Sequence, residues 1–374
     1  MTNKKIIIVA PNLKVGGAEK NIVKLIREWL KYGYVIKLIL NKKTGELLKG
    51  IPEEVEIINL NQDRLINIIY PLYKYLSNNK PNIIWVNLWP LTSYAIIAWL
   101  LTGKIGQIFV TEHNNFEKSY IKKNIFRRIY FRLLLNYTHT YANGVTTVSN
   151  GLQYSLIKLV PRLKNKIKTI YNPIVENKKE KVTEEELKSL SKIIWNQEDS
   201  FKILAVGEFK TQKNHELLID ALKIIINKKI NVNLIILGNG ILYEKIRKKI
   251  KEMKLEKEIM LPGYQEETEK WYKTADLFIL TSNWEGFGNV IVEAMEYGLP
   301  IISTNCPHGP SEILADGLYG DLIECNQVNQ LVEAIEKNIK LEIKKPIEVN
   351  VSRASNYSVE KIAKEYIDLF TKND

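Results

Sequence analysis

The chain has 374 residues, more than one hydrophobic core usually holds, and this length predicts two domains. With 45% hydrophobic and 26% charged residues and no Pro-, Gly- or Ser-rich tract, the composition excludes disordered and collagen-like chains. Two cysteines are too few for a disulfide framework or a cysteine-based zinc site. The longest apolar run, 88–101, is interrupted by Pro90 and falls short of the ~20 residues of a membrane span.

The net charge of +12 is divided unequally along the chain. Residues 1–172 carry 26 Lys and Arg against 9 Asp and Glu, whereas residues 173–374 carry 28 against 33. A basic first half indicates attraction to phosphate on nucleic acid, on an anionic membrane or on a lipid-linked substrate, although a solvated surface explains it equally well. No basic and apolar leader precedes residue 5, so the sequence predicts a cytoplasmic protein.

Short runs rich in Ile and Val alternate with helical patterns, which predicts parallel sheets covered by helices on both faces. The first seven predicted strands lie at residues 6–10, 35–40, 55–60, 83–87, 107–111, 145–148 and 167–171. Five more are predicted at residues 203–206, 233–237, 258–261, 277–280 and 300–303. Between the two groups, the stretch 176–200 is rich in Lys and Glu and predicts a linker with some helix. The fold class is therefore α/β, with two doubly wound sheets.

In doubly wound sheets the ligand lies beyond the carboxyl ends of the strands, so the turns decide the function. The first turn contains Gly16 and Gly17 but lacks the G-x-G-x-x-G spacing of dinucleotide enzymes. The second predicted strand is followed by Asn41, where those enzymes have an acidic residue that binds ribose. This pattern disfavours NAD binding, although the two glycines would still allow the backbone to approach a ligand closely.

Segment 281–300 follows a predicted strand and is the most informative part of the chain. It predicts a helix at about 290–297, with Asn289 as its N-cap and Gly298 as its stop signal. The N-terminus of such a helix offers N–H groups and the positive end of a dipole, both of which suit a diphosphate.

Two glutamates flank the start of this predicted helix. Glu293 can accept two hydrogen bonds from a ribose diol, and Glu285 can reach sugar hydroxyls from the preceding loop. Gly286 and Gly288 would let the loop backbone come close to the sugar. A helix whose acidic residues only favour the dipole is the alternative explanation.

Together these motifs resemble glycosyltransferase family 4, whose members are retaining, nucleotide-sugar-dependent enzymes of the GT-B fold. The resemblance covers nearly the whole chain. The segments that carry it are Gly16-Gly17-Ala18-Glu19, Glu112-His113-Asn114, Gly238-Asn239-Gly240, Glu285-Gly286-Phe287-Gly288-Asn289-Val290-Ile291-Val292-Glu293-Ala294-Met295, Gly298-Leu299-Pro300, Asn305-Cys306-Pro307-His308-Gly309-Pro310-Ser311-Glu312 and Asp316-Gly317 with Tyr319-Gly320.

The resemblance implies two Rossmann-like domains facing across a cleft. It predicts an acceptor-binding domain at 1–172, a linker at 173–200, a nucleotide-sugar-binding domain at 201–355 and a C-terminal helix at 356–374 that packs back on the first domain. The implied reaction is transfer of a hexose or N-acetylhexosamine from a nucleotide donor, with UDP as the first choice, to a lipid-linked or surface-polysaccharide glycan.

The resemblance also implies roles for individual residues. Glu293 would hold the ribose, Glu285 the donor sugar and Lys213 the diphosphate, while His113 would act beside the acceptor. The remaining donor-binding positions would be Gly16, Gly17, Gly207, Lys210, Gly238, Gly240, Phe287, Gly288, Asn289 and Val290.

One position departs from the family pattern. Family members usually have arginine directly after the glycine that corresponds to Gly207, whereas this chain has Glu208. Lys210 would then supply the missing positive charge, and an inactive relic that only binds its ligand is the alternative.

No metal or other cofactor is expected. The chain has no Asp-x-Asp motif, and its four histidines are scattered at positions 113, 139, 215 and 308. Positive charge at the diphosphate must therefore come from Lys213, from Lys210 and from helix N-termini.

A helix predicted at 120–135 has two distinct sides. One side is expected to carry Ile121, Ile125, Phe126, Ile129, Tyr130, Leu133 and Leu134, and the other the basic residues with the exposed aromatic residues Tyr120 and Phe131 among them. Basic charge beside aromatic residues suits an anionic membrane surface, which predicts peripheral association with the inner face of the cell membrane that high salt reverses. A helix with a solvated outer face is the alternative. The basic residues are Lys123, Arg127, Arg128 and Arg132.

Three other functions are also compatible with the sequence. A GDP-mannose-dependent mannosyltransferase and a sugar-nucleotide epimerase of the GT-B fold would use the same site. A basic nucleic-acid-binding protein would explain the charge of the first half, but no zinc-finger, RNA-recognition or helix-turn-helix signature accompanies it.

Overall fold

The structure, a computed structural model, describes residues 4–114, 116, 125–176, 183–195, 199–341 and 348–372, and for 125–128 it describes the backbone only. Two compact units divide the chain. The first consists of Met1–Ile174 together with Tyr357–Asp374, and the second is Val175–Asn356.

Each unit is built on one parallel sheet. The strands of the first are β1 Lys5–Ala10, β2 Val35–Leu40, β3 Glu56–Asn59, β4 Ile83–Asn87, β5 Gln107–Glu112, β6 Gly144–Thr147 and β7 Ile167–Thr169. Those of the second are β8 Phe201–Val206, β9 Val232–Leu237, β10 Ile259–Gly263, β11 Leu277–Leu280, β12 Ile301–Thr304 and β13 Asp321–Ile323.

Helices connect the strands and cover the sheets. They are α1 Gly17–Lys31, α2 Ile69–Asn79, α3 Leu91–Leu101, α4 Ile125–His139, α5 Asn150–Leu159, α6 Glu184–Ile194, α7 His215–Asn227, α8 Tyr243–Glu252, α9 Glu269–Thr274, α10 Asn289–Glu296, α11 Pro310–Ile313, α12 Val328–Lys340, α13 Glu348–Ala354 and α14 Val359–Thr371.

The strands form because β-branched residues can be buried on both faces of a parallel sheet. In β1, Ile7 and Val9 pack into one core of the first unit, while Ile6 and Ile8 pack into the core on the opposite face. This alternation follows from the two-residue period of a strand. The apolar runs that predicted the strands are therefore the two-sided core of the sheet.

The strand order places the candidate sites. The first sheet has the order β3-β2-β1-β4-β5-β6-β7 and the second β10-β9-β8-β11-β12-β13. In each, the order reverses between two neighbouring strands, β1 and β4 in the first sheet and β8 and β11 in the second. Ligands of doubly wound folds bind at such a reversal, beyond the carboxyl ends of the strands.

All twelve predicted strands are confirmed, with bounds that shift by one or two residues. The prediction missed β13, because a strand of three residues is too short to show a pattern. Within 173–200, helix α6 begins at a capping box between Thr183 and Glu186. Beyond it, Trp195 is buried in the second unit, where its Nε1 donates to Thr274 Oγ1 at 3.0 Å.

The last helix, α14, lies in the first unit. Its Tyr366 and Phe370 pack around Trp29 of α1, with ring centroids 6.0 and 5.7 Å from that of Trp29. The indole Nε1 of Trp29 donates to the Ala363 carbonyl oxygen at 3.1 Å. These contacts bury the apolar face of α14 in the core that also contains Trp85.

Candidate active site

The loops that follow β8 and β11 meet where the order of the second sheet reverses. Thr281 Oγ1 donates to the carbonyl oxygens of Lys213 and Asn214 at 3.0 and 3.1 Å. The Asn283 backbone N–H donates to the Gln212 carbonyl at 2.7 Å, and Gln212 Nε2 donates to the Trp284 carbonyl at 2.9 Å. The hydrogen bonds run in both directions, so the two loops form one surface that carries Lys213 and Glu285.

Lys213 and Glu285 form an ion pair on this surface. Lys213 Nζ lies 2.6 Å from Glu285 Oε1, and their side chains are 14% and 7% exposed. Ser282 Oγ donates to the same carboxylate oxygen at 2.6 Å, and Gln212 Nε2 reaches the other oxygen at 3.4 Å. Sequence reasoning gave Lys213 to the diphosphate and Glu285 to the sugar; the structure brings the two together as partners. A mostly buried pair of this kind positions both groups before any ligand arrives.

Glu293, one turn into α10, has a partner that sequence reasoning missed. The hydroxyl of Tyr272 on α9 donates to Glu293 Oε2 at 2.8 Å. Tyr272 is buried and stacks on Tyr297, with ring centroids 5.6 Å apart and planes 9° from parallel. Burial first, and the Glu293 charge second, hold the pKa of Tyr272 well above its usual value, so the hydroxyl remains a donor.

The start of α10 differs from the prediction. The helix begins at Asn289 and its N-cap is Gly288, so the prediction that Asn289 is the cap was wrong. Gly288 has a φ of 105°, a left-handed conformation that residues with a Cβ rarely adopt. The glycine therefore sets the turn that leads into the helix, and Asn289 takes the first helical position. The predicted stop is confirmed, because Gly298 follows the helix with a φ of 66°.

Lys210 and Glu208 pair with each other. Lys210 Nζ lies 2.7 Å from Glu208 Oε2, with side chains 39% and 57% exposed. The structure thus shows Lys210 neutralising the carboxylate that stands in the usual arginine position. Lys210 is therefore paired at an exposed position, whereas Lys213 is paired at a mostly buried one beside Glu285.

Close packing explains why three of the predicted donor-binding positions are glycine. A Cβ on Gly238 would lie 2.2 Å from the Gly207 carbonyl oxygen, and one on Gly240 would lie 2.6 Å from the Phe209 carbonyl oxygen. A Cβ on Gly207 would meet the side chain of Lys213 at 3.1 Å. These glycines let the turns after β8 and β9 pack against each other and leave room for the lysine.

In the first unit, the turn after β5 carries His113, which lies beside Asn87 at the end of β4. Its Nε2 lies 3.2 Å from Asn87 Oδ1. Burial lowers the pKa of His113 to about 4, so the imidazole is neutral near pH 7. It can therefore act as a hydrogen-bonding partner for a hydroxyl but not as a cation.

The preceding residue, Glu112, is the buried centre of a hydrogen-bond network. Its Oε1 accepts from Thr92 Oγ1 at 2.6 Å and lies 2.9 Å from His139 Nε2, and its Oε2 accepts from the Trp89 N–H at 3.2 Å. This network joins Glu112, the residue before His113, to the segment after β4 and to the end of α4. It also gives His139 a structural role, which the sequence pattern did not show.

Gly16 and Gly17 lie at the start of α1, where Gly16 is the N-cap. A Cβ on Gly16 would lie 2.2 Å from Glu19 Oε2. The carboxylate of Glu19 thus folds back against the helix N-terminus, and burial raises its pKa. The missing side chain of Gly16 makes room for this carboxylate.

Helix α4 is turned differently from the prediction. Phe131 is buried with its ring centroid 4.6 Å from that of Trp89 and 5.3 Å from that of Phe116, whereas Ile129 and Leu133 are exposed. The predicted face was wrong because α4 is apolar on two sides, so periodicity alone did not choose between them. The aromatic contacts of Phe131 decide the orientation.

The four basic residues assigned to the membrane are only partly described. Lys123 lies outside the described residues, and Arg127 and Arg128 belong to α4 without described side chains. Arg132 is exposed. No helix in the described part of the chain has both the length and the apolar character needed to cross a membrane.

The described residues contain no group of three or more His, Cys, Asp or Glu side chains placed to hold a metal ion. The charged side chains that pair on the mostly buried part of this loop surface are those of Lys213 and Glu285. Such a surface can bind an anionic ligand and hydrogen-bond sugar hydroxyls.

The Tyr272 hydroxyl gives a specific prediction. Tyr272→Phe should weaken UDP binding by about 0.5–1.5 kcal/mol, because it removes the hydrogen bond that orients Glu293. Tyr297→Phe is the matched control, since it keeps the stacked ring, and it should leave the affinity unchanged. Calorimetry on the folded variants is the measurement. An equal loss for both variants would contradict a specific role of the Tyr272 hydroxyl, because both substitutions keep the ring and remove only a hydroxyl.

Comparison with known proteins defines the class of the molecule. Residues 15–178 match the family model described as Glycosyltransferase Family 4, and residues 188–352 match the model described as Glycosyl transferases group 1. Consecutive matches in both units make the protein a glycosyltransferase, and the chain belongs to glycosyltransferase family 4.

Two relatives illustrate the likeness. An uncharacterized glycosyltransferase of Methanocaldococcus jannaschii is 27% identical over 364 residues, covering 85% of this chain and 88% of that protein. The N-acetylgalactosamine-N,N′-diacetylbacillosaminyl-diphospho-undecaprenol 4-α-N-acetylgalactosaminyltransferase of Campylobacter jejuni is 27% identical, over 65% of this chain and 63% of its own length.

Solved structures confirm the fold. A glycosyltransferase from Rickettsia africae has a TM-score of 0.83 at 18% identity, covering 100% of this chain and 99% of that chain. Anabaena HepE in complex with UDP-glucose has a TM-score of 0.82 at 19% identity, covering 98% and 99%. The fold is therefore GT-B, as the sequence predicted.

Proposed function

We propose that the protein is a retaining glycosyltransferase that takes a hexose or N-acetylhexosamine from a UDP-linked donor. The observation that carries this proposal is the arrangement of segment 285–293. Glu285 is paired with Lys213 at 2.6 Å, and Glu293 is held by Tyr272 at 2.8 Å. An anion-binding lysine on the loop after β8 is thus joined to a segment that carries a sugar-binding and a diol-binding carboxylate, as a nucleoside diphosphate sugar requires.

The donor would be recognised through three contacts. Glu293 Oε1 would accept from the ribose hydroxyls, while Oε2 remains bonded to Tyr272. Lys213 Nζ would neutralise the diphosphate together with the N-terminus of α10. Glu285 would accept from the sugar hydroxyls, with Ser282 and Gln212 fixing its orientation. The solved structures of Anabaena HepE with UDP-glucose and of a Staphylococcus aureus protein, TarM, with UDP support a uridine nucleotide.

Retention of the configuration at the anomeric carbon would need no nucleophile from the protein. The bond between the anomeric carbon and the diphosphate oxygen breaks while the acceptor oxygen attacks the same face. The proton of the acceptor hydroxyl passes to a diphosphate oxygen, and UDP leaves. Lys213 and the α10 N-terminus stabilise the negative charge that develops on the leaving group. The chain's own groups supply this charge, so we propose that the reaction needs no metal.

The acceptor would be a lipid-linked or surface-polysaccharide glycan bound by the first unit. Neutral His113 would hydrogen-bond an acceptor or sugar hydroxyl from the turn after β5. The C. jejuni relative, by its name, acts on a diphospho-undecaprenol glycan, and the basic first half of the chain suits such an anionic lipid. We propose that the protein works at the inner face of the cell membrane.

Donor turnover tests the proposal. In a panel of UDP-, GDP- and ADP-sugars, we expect hydrolysis or transfer with a UDP-hexose or UDP-N-acetylhexosamine, and we expect the same rate in excess EDTA. Turnover of GDP-mannose alone would favour the mannosyltransferase, and interconversion of the free nucleotide sugar would favour the epimerase. Activity that EDTA abolishes and magnesium restores would contradict the metal-free mechanism.

A further inference from the structure

Five large side chains of α4 and the turn after it face solvent as one surface, which we call the α4 stripe. Their exposed fractions lie between 44% and 62%. The stripe consists of Ile129, Tyr130, Leu133, Tyr137 and Tyr141. Ile129, Leu133 and Tyr137 follow each other at intervals of four residues, which places them on one line along α4, and Tyr141 follows after the helix ends. Tyr137 and Tyr141 contact each other edge to face, with ring centroids 5.5 Å apart.

The stripe is not needed to hold the fold together. The opposite side of α4 already supplies the core with Phe131 and Leu135, both buried. A helix that packs on a sheet ordinarily presents polar residues on its outer side. Contiguous exposed apolar surface on a soluble unit marks an interaction site.

The part of the sequence that contains the stripe is strongly basic. Residues 100–172 contain twelve Lys and Arg against two Asp and Glu. Of these two acids, Glu112 is buried against His139. Lys104 Nζ lies 5.6 Å from the centre of the Tyr141 ring, and Lys166 Nζ donates to the Thr140 carbonyl at 2.7 Å. Arg132 is exposed on α4 itself. An apolar stripe thus lies among cations.

We propose that the α4 stripe inserts into the boundary between head groups and acyl chains of an anionic bilayer. Tyrosine rings are favoured at that depth, and the neighbouring Lys and Arg side chains would contact lipid phosphates. A second copy of the chain would bring two basic surfaces together and is disfavoured by repulsion. This inference rests on the proposed function only for the role of the insertion, which would be to give the enzyme access to a lipid-linked acceptor.

Insertion of the stripe changes how membrane binding is expected to depend on the salt concentration. Electrostatic attraction weakens as the Debye length falls from ~8 Å at physiological ionic strength to ~3 Å at 1 M salt. Burial of apolar side chains does not weaken in this way. The basic residues alone predict complete release at high salt, whereas the stripe predicts that part of the bound protein remains.

Flotation of the full chain with lipid vesicles tests this difference in salt dependence. Vesicles of equal parts phosphatidylcholine and phosphatidylglycerol, and vesicles of phosphatidylcholine alone, are compared at low and high salt. Leu133→Gln/Tyr137→Gln should lower the partition coefficient on the anionic vesicles at least about tenfold at both salt concentrations. Ile193→Gln, which alters an 82% exposed residue of α6, is the matched control and should bind as the wild type does. Arg132→Gln should lose affinity mainly at low salt.

Two outcomes would overturn the inference. One is anionic-vesicle binding of Leu133→Gln/Tyr137→Gln, and of Leu133→Gln alone, equal to that of the wild type. The other is a dimer in light scattering that Leu133→Gln separates, since the stripe would then bind a second copy. Thermal unfolding followed by circular dichroism verifies that each variant is folded, and calorimetry measures UDP affinity separately. If the wild type binds vesicles through the stripe but does not bind UDP, the proposed function fails and this inference stands.

Discussion

Replacing Glu293 by alanine should lower the affinity for UDP by about 1.5–3 kcal/mol, because the variant loses a charged hydrogen-bond acceptor for the ribose. The change also leaves the buried Tyr272 hydroxyl without the acceptor at 2.8 Å. A modest loss of thermal stability should therefore accompany the loss of affinity. Calorimetry with UDP and thermal unfolding measure the two effects separately.

Glu293→Gln separates these two effects. Its amide oxygen can still accept from Tyr272, so stability should be restored, while the weaker neutral acceptor should leave UDP affinity below that of the wild type. A 2′-deoxy analogue of UDP should lose less affinity on either substitution than UDP does. Unchanged UDP binding in the alanine variant would remove Glu293 from the site.

Replacing Lys213 by alanine should weaken UDP binding by about 1.5–3 kcal/mol and uridine binding far less, because the lysine is expected to contact the diphosphate. The substitution also leaves Glu285, 7% exposed, without its cation. Removing one partner of a buried ion pair costs about 3–5 kcal/mol of folding stability, so the thermal midpoint should fall. UDP and uridine titrations on the folded variant give the comparison.

A double variant controls for the stability effect. Lys213→Ala/Glu285→Gln removes both charges, so folding stability should recover while UDP affinity remains low. Lys210→Ala is a second control, since Lys210 pairs with Glu208 on the surface and its loss should matter less. An equal fall in UDP and uridine affinity in Lys213→Ala would contradict the role at the diphosphate.

The sequence predicted the central strands well because they are buried on both sides and rich in Ile and Val, as β1 and β4 show. It also predicted a donor site in segment 285–293, whose glycines and glutamates are close together in the chain, and that assignment stays a prediction. The hydrogen bond from Tyr272 was beyond such reasoning, because its partner Glu293 is 21 residues away on a different helix. Nothing in the spacing marks Tyr272 as anything but an apolar residue of a short helix.

Two predictions from the sequence were wrong for physical reasons. Asn289 is a favourable N-cap by residue type, but the turn requires a left-handed conformation, and Gly288 adopts it. The orientation of α4 depends on which of its two apolar sides fits the core, and the rings of Trp89 and Phe116 select Phe131. Residues distant in sequence make that choice, so a pattern within the helix does not predict it.

The most direct measurement is a crystal structure of the chain with UDP bound. We predict that the ribose hydroxyls lie within hydrogen-bonding distance of Glu293 while Tyr272 keeps its bond, and that the diphosphate contacts Lys213 and the N-terminus of α10. Lys213 should then be shared between the diphosphate and Glu285, its partner at 2.6 Å without ligand. A nucleotide bound elsewhere, or one whose ribose does not contact Glu293, would contradict the account.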